Sequence, residues 1–196
     1  YKRQGVLKDV NNFGVDLPQT GGILQIGADG AVDTMTIDGN AVISAGTVEI
    51  ALDGTAGAGV AGGHDQIVVN DGTLDSTVTL GGTLDLTLNY DAQAGDTFTI
   101  VDNDEAGDAV SGIFAGLAEG ATFNVTFGGN EYGFQISYIG DDGNNVVLTS
   151  LGQAETSVEI VGGDLVITDI NSDSADSLTI IDDGTNYIIS DTTLVL

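Results

Sequence analysis

Apolar and polar residues alternate one by one along much of this chain, most plainly in Val48-Glu49-Ile50-Ala51-Leu52 and Leu84-Asp85-Leu86-Thr87-Leu88. Alternation of period two marks a strand with one buried face, because successive side chains leave a strand on opposite sides. Shorter runs of this kind occupy residues 23–26, 34–38, 41–44 and 47–52, with Gly27-Ala28-Asp29-Gly30 and Gly39-Asn40 as turns between them. No segment carries a sustained helical period, and only residues 115–121 read as a helical turn. The pattern predicts an all-β protein.

Punctuation divides the chain into three parts. Pro18 and the Gly21-Gly22 pair separate residues 1–20, read as an extended N-terminal arm or linker, from the rest of the chain. Residues 21–152 form a β-rich module, and residues 153–196 start a second, smaller one, with Gly162-Gly163 and Asp183-Gly184 as hairpin turns. Residues 54–63 (GTAGAGVAGG) are low in complexity and predict a mobile surface loop. The string GG-[small]-L-x-[IL] recurs at residues 21–26, 81–86 and, with Asp in the small position, 162–167. That recurrence hints at repeated use of one way into a strand. For residues 23–90, short strands about ten residues apart fit either a β-sandwich or a β-solenoid. The fold class is therefore tandem sandwich or solenoid modules with Gly- and Asp-rich turns and an extended arm.

Charge changes the picture more than composition does. All three cations, Lys2, Arg3 and Lys8, lie in the first eight residues, against 30 Asp and Glu and a net charge of −27. The body cannot pair its carboxylates by internal salt bridges. They must be solvated, met by bound metal, or met by cations from elsewhere. Nucleic acid and anionic membranes need the Lys and Arg that the body lacks. Salt adaptation is a competing cause of acidity, although it enriches Glu as well as Asp, and here 24 of the acids are Asp. No cysteine is present, so disulfides and thiolate metal sites are excluded. No apolar stretch approaches the length of a membrane span, about 20 residues, so no direct insertion is expected.

An ordered series of short blocks adds to this reading. It runs His64-Asp65-Gln66-Ile67-Val68-Val69, Leu80-Gly81-Gly82-Thr83-Leu84-Asp85-Leu86, Gly95-Asp96-Thr97-Phe98-Thr99-Ile100-Val101 and Ser111-Gly112-Ile113-Phe114-Ala115-Gly116-Leu117. It closes with Phe134-Gln135-Ile136-Ser137-Tyr138 and Gly140-Asp141-Asp142-Gly143-Asn144-Asn145-Val146-Val147-Leu148-Thr149. Residues 21–150 thus resemble the β-rich module of large bacterial surface proteins and autotransporter-type passenger regions. Residues 153–196 resemble a further surface-protein β module. The resemblance implies export, an extracellular or cell-surface place and a structural or adhesive role. It carries no agreed active site. Asn145 stands where such closing loops usually have Asp.

Three acidic turns suit a hard cation, and calcium is the cofactor they would take, since it accepts six to eight oxygen ligands. They are Asp102, Asn103, Asp104 and Asp108; Asp141, Asp142 and Asn144; and Asp169, Asn171 and Asp173. Each also reads as a plain solvated turn. The third has 1-3-5 spacing, but Ser174 and Ile180 stand where an EF-hand needs Gly and Glu, so the EF-hand reading fails. His64 is the sole histidine and has no nucleophile beside it to make a triad. Sugar-cleaving clefts use aromatic platforms and cationic orienters, and Trp and body cations are both lacking. An enzyme is not expected.

The N-terminal segment is the sharper candidate. Lys2, Arg3 and Lys8 stand among Val6, Leu7, Val10, Phe13, Val15 and Leu17, a pattern able to add a strand to an acidic sheet edge. The leading expectation is a secreted structural subunit of an extracellular filament or surface layer, with other copies of itself as partners. A non-polymerising module of a large adhesin, flanked by neighbouring modules, is the alternative. A carbohydrate-active enzyme comes third.

Overall fold

The computed structural model describes residues 6–7, 12–13, 17–27, 31–70, 76–103, 110–141, 143–153, 156–169 and 178–191, and these are all β, without a helix. One sheet collects β1 (Val6–Leu7), β3 (Leu17–Gln25), β5 (Ala41–Leu52), β7 (Val78–Leu80) and β10 (Ser111–Gly112). Another strand, β8 (Thr83–Leu88), lies beside β7 along the second half of β5. Every pairing in this sheet is parallel. The second sheet begins with β2 (Asn12–Phe13), β4 (Thr34–Ile37), β6 (Gln66–Val69) and β9 (Thr97–Asn103), also parallel. From β1 to β10 the chain therefore passes back and forth between the two sheets, except that β7 and β8 follow one another along β5 in the first. Each passage sets a new rung beside the last.

The alternation seen in the sequence decides which side of each rung faces in. Leu24, Val48 and Leu84 share one column across β3, β5 and β8 and point to the core, while Gln25, Glu49 and Asp85 share the next and point out. Met35, Ile67 and Val101 make the matching inward column in the second sheet. Each fully buried Leu or Ile contributes about 1.5–3 kcal/mol. Gly46 shows how closely rungs approach: its φ is +95°, and a Cβ there would lie 2.5 Å from the Gly22 carbonyl. A Cβ on Gly82 would in turn lie 2.7 Å from the Gly46 carbonyl. The recurrent GG strings at residues 21–26 and 81–86 thus flank Gly46 from its two sides. The third, Gly162-Gly163, is a hairpin turn with positive φ at both residues.

After β9 the second sheet changes character. β13 (Asn145–Gln153), β12 (Asn130–Gly140) and β11 (Thr122–Phe127) extend it by antiparallel pairing, and β11 comes alongside β8. The core here is aromatic: Phe98, Phe114 and Phe134 are fully buried. Residues 115–121 do not make the expected helical turn. They form two tight turns held by the Tyr138 hydroxyl, which accepts from the Phe114 N–H at 2.9 Å and donates to the Leu117 carbonyl at 2.8 Å. Glu119 accepts from the Ser137 hydroxyl and the Tyr138 N–H across the same turn.

Two other expectations change. The boundary placed after residue 20 falls inside β3, because Gly21-Gly22 lets the strand bulge without ending it. Pro18 is tolerated because β1 pairs only with Ile23 and Leu24, leaving the Pro18 side outside that ladder. The glycine-rich run 54–63, expected to be mobile, is folded back on itself. Asp53 N–H donates to Gly63, Ala56 N–H to Gly62 and His64 N–H to Gly57, at 2.8, 3.0 and 3.1 Å. Gly57, Gly59 and Gly62 take positive φ to aim these groups inward.

The C-terminal part holds two separate two-stranded sheets, β14 (Thr156–Val161) with β15 (Asp164–Asp169) and β16 (Leu178–Asp182) with β17 (Tyr187–Asp191). Their apolar side chains are open: Ile160 is 69% exposed and Tyr187 62%.

Candidate functional site

Two of the three acidic turns predicted separately come together. Pairing of β9 with β13 sets Asp102 and Asn103, at the end of β9, beside the turn that holds Asp141 and Asn144. The Asn145 side chain joins the two segments. Its carbonyl accepts from the Asn103 N–H at 2.8 Å, and its amide donates to Asp141 Oδ2 at 3.0 Å. The Asn144 amide donates to the Asn103 carbonyl at 2.6 Å, and the Thr99 hydroxyl to Asp141 at 3.2 Å. Asn145 must both donate and accept, which an ionised Asp cannot do. That is a physical reason for Asn rather than Asp at this position. Asp141 sits at φ 52°, a left-handed turn position that Asp tolerates.

Asp104, Asp108 and Asp142 lie outside the described residues, as do Asn171 and Asp173 of the third turn, whose Asp169 is the last residue of β15. Among the described residues no group of three or more His, Cys, Asp or Glu is placed to hold a metal ion.

The N-terminal segment does not stand apart from the body where it is described. Val6 and Leu7 form β1 on β3, Phe13 lies in β2 on β4, and Leu17, buried, begins β3. Lys2, Arg3, Lys8, Val10 and Val15 lie outside the described residues.

The fold also builds an acidic feature that the sequence pattern alone does not single out. Gln25, Glu49 and Asp85 stand in register on the outer face of the first sheet. With Thr87 and Asp65 they line a cleft of about 260 Å³. Like charges side by side on neighbouring strands repel and destabilise the pairing. A signal existed: Val48-Glu49-Ile50 and Leu84-Asp85-Leu86 share one phase of alternation, and the second follows a recurrent GG string.

Asp65 is 3% exposed and ties the sheets together, accepting from the Asp33 N–H and the Ala51 N–H at 2.8 Å each. Burial pushes its carboxyl up to about 6, against the pull of those two hydrogen bonds. His64 beside it is 6% exposed and stacks its edge on Phe98, with ring centroids 5.4 Å apart. Neither ring nitrogen meets a partner in hydrogen-bonding geometry; the nearby Thr99 carbonyl accepts from the Gln66 amide at 2.9 Å. Burial lowers the His64 pKa, with a smaller opposing pull from Thr99. Both residues join loop and sheet, His64 through its N–H to the Gly57 carbonyl and Asp65 through the two hydrogen bonds to its carboxyl.

Comparison with known proteins finds no matching family model, no matching curated protein and no matching solved structure.

Proposed function

We propose that this chain is a structural module of a secreted bacterial surface protein, a parallel β-solenoid closed at one end by antiparallel strands, and a subunit of an extracellular filament or layer. The observation that carries this reading is the alternation of β1 to β7 between two sheets and the parallel pairing of every strand from β1 to β10 with its neighbours among them. Such a stack buries its aliphatic columns rung by rung and serves as a stiff support. Residues 6–7 and 12–13 are its first rungs, so copies would join by rung stacking. Calcium at the turn shared by β9 and β13 would add stiffness, about 2.7 kcal/mol when calcium exceeds its Kd a hundredfold. The reading as a non-polymerising adhesin module draws on the two hairpins after β13 as further small units.

Negative-stain electron microscopy and light scattering of the purified chain test the reading. Linear polymers are expected; separate monomers at every concentration would leave the adhesin reading in its place. Melting in EDTA and in millimolar calcium tests the metal, and an unchanged Tm removes it. Release of product from any polysaccharide would sink the structural assignment altogether.

A further inference from the structure

We infer that the fold contains an acid-sensitive latch: protonation of His64 releases the glycine-rich loop 54–63 while the two sheets stay folded. His64 stands where this loop is pinned. Its N–H donates to the Gly57 carbonyl at 3.1 Å, and its carbonyl accepts from the Gly59 N–H at 2.9 Å. Its backbone bridges both Leu52, the last residue of β5, and Ala58 in the loop. Gly59 in turn lies against Thr34, the first residue of β4, where a Cβ would strike the threonine hydroxyl. The ladders of both sheets run through other residues, so they do not depend on these pins. Once freed, the loop gains many conformations from its glycines, which favours opening.

The ring of the same residue sits where a neutral imidazole is favoured. It is buried edge-on to Phe98, and neither Nδ1 nor Nε2 has a hydrogen-bond partner. An imidazolium in this place would be a buried cation with two unmet donors. The acids on the surrounding elements are engaged elsewhere. Asp53 accepts from the Asn89 amide, Asp96 from the Tyr90 hydroxyl and the Gln93 N–H, and Asp65 from the N–H groups of Asp33 and Ala51. Glu49 on β5 and Asp102 on β9 stand in outward columns. Burial accordingly holds the ring below its ordinary pKa, with the Thr99 carbonyl as the opposing pull. As pH falls through about 6, Asp65 takes up a proton and offers the ring no negative charge. A protonated ring gains most by reaching water, and the His64 backbone that moves with it carries the pins of the loop.

Amide hydrogen exchange followed by NMR at pH 7 and pH 5, corrected for the intrinsic pH dependence of exchange, tests the latch. Opening at the amides of Asp53, Ala56, Gly59 and His64 should rise about tenfold at pH 5, while Val48 and Ile67 in the rungs stay protected. His64→Gln, which takes up no proton, should keep the loop closed at both pH values. Asp65→Asn should still open in acid, because the raised pKa of Asp65 loosens its own joint as pH rises instead. The imidazole signals of wild type, which has one histidine, give a reading that needs no variant: the ring should titrate below 6.5, in step with loop exchange. Equal acceleration in His64→Gln, or a loop still protected after the ring has titrated, overturns the latch. Acceleration shared by Val48 and Ile67 overturns it too, since the whole stack would then be opening.

Discussion

Ile50 and Ile180 occupy alternating strands that look alike in the sequence, yet Ile50 is 1% exposed and Ile180 is 49% exposed. Ile50 lies in β5, between rungs on both edges and beneath a second sheet; Ile180 lies in a hairpin with one partner strand. Alternation suffices to make a strand, but burial requires a second layer to close on its apolar face. An isolated two-stranded hairpin is marginal in water for that reason. The stack and the hairpins should therefore differ sharply in what a substitution costs.

The largest contrast is expected for Phe134→Ala in the stack, which empties a fully buried ring site and should cost about 3–5 kcal/mol in urea unfolding. A cost near that of a surface change would mean that β12 is not packed as described. Gly46→Ala is next. It forces a Cβ at φ +95° against the Gly22 carbonyl and should cost about 1–3 kcal/mol, whereas Gly184→Ala, with open space around it, should cost only its backbone strain. Equal losses at the two glycines would remove the close approach of the rungs.

A pH series sharpens the contrast further. Asp65 is raised from 3.8 to about 6, so its share of stability is fully present below about pH 4 and is lost as pH rises through 6. The difference is about 3 kcal/mol between pH 4 and 7. His64 works the other way: its lowered pKa means stability present above 6.5 is lost as pH falls. Urea midpoints of wild type and Asp65→Asn between pH 4 and 8 separate the two. The variant should lose stability on acidification more steeply than wild type, and parallel curves would contradict a buried, ionising Asp65. Tyr138→Phe should cost about 1–2 kcal/mol by leaving the Phe114 N–H without its acceptor. The smallest effect belongs to the hairpins: Ile160→Ser should stay within about 0.5 kcal/mol in the isolated chain. A loss of several kcal/mol would show a cover over that face.

Much of the fold is legible in the sequence. Period-two runs mark β5 and β8, and Gly162-Gly163 and Asp183-Gly184 mark their hairpins, because strand alternation and tight turns are local properties. Which strands become neighbours, and in what register, is not legible there. Rungs are joined by connections of unequal length, so no constant period survives in the sequence to reveal that Thr47 and Thr83 share a column. The same holds for the candidate sites. The residue types in the two acidic turns are evident, but their meeting depends on β9 pairing with β13, and the Glu49–Asp85 contact depends on β5 pairing with β8.

By itself the sequence determined the all-β class, the inward phase of β5 and β8 and the confinement of every Lys and Arg to the first eight residues. These properties come from side-chain chemistry and the short-range geometry of the backbone. Only the tertiary structure decided that residues 6–7 and 12–13 are rungs of the body, that Asn145 bridges two turns, and that β8 ends its sheet beside a pair of carboxylates. Hydrogen bonds between strands far apart in sequence set those outcomes, and their register is fixed only when two apolar faces close on one another.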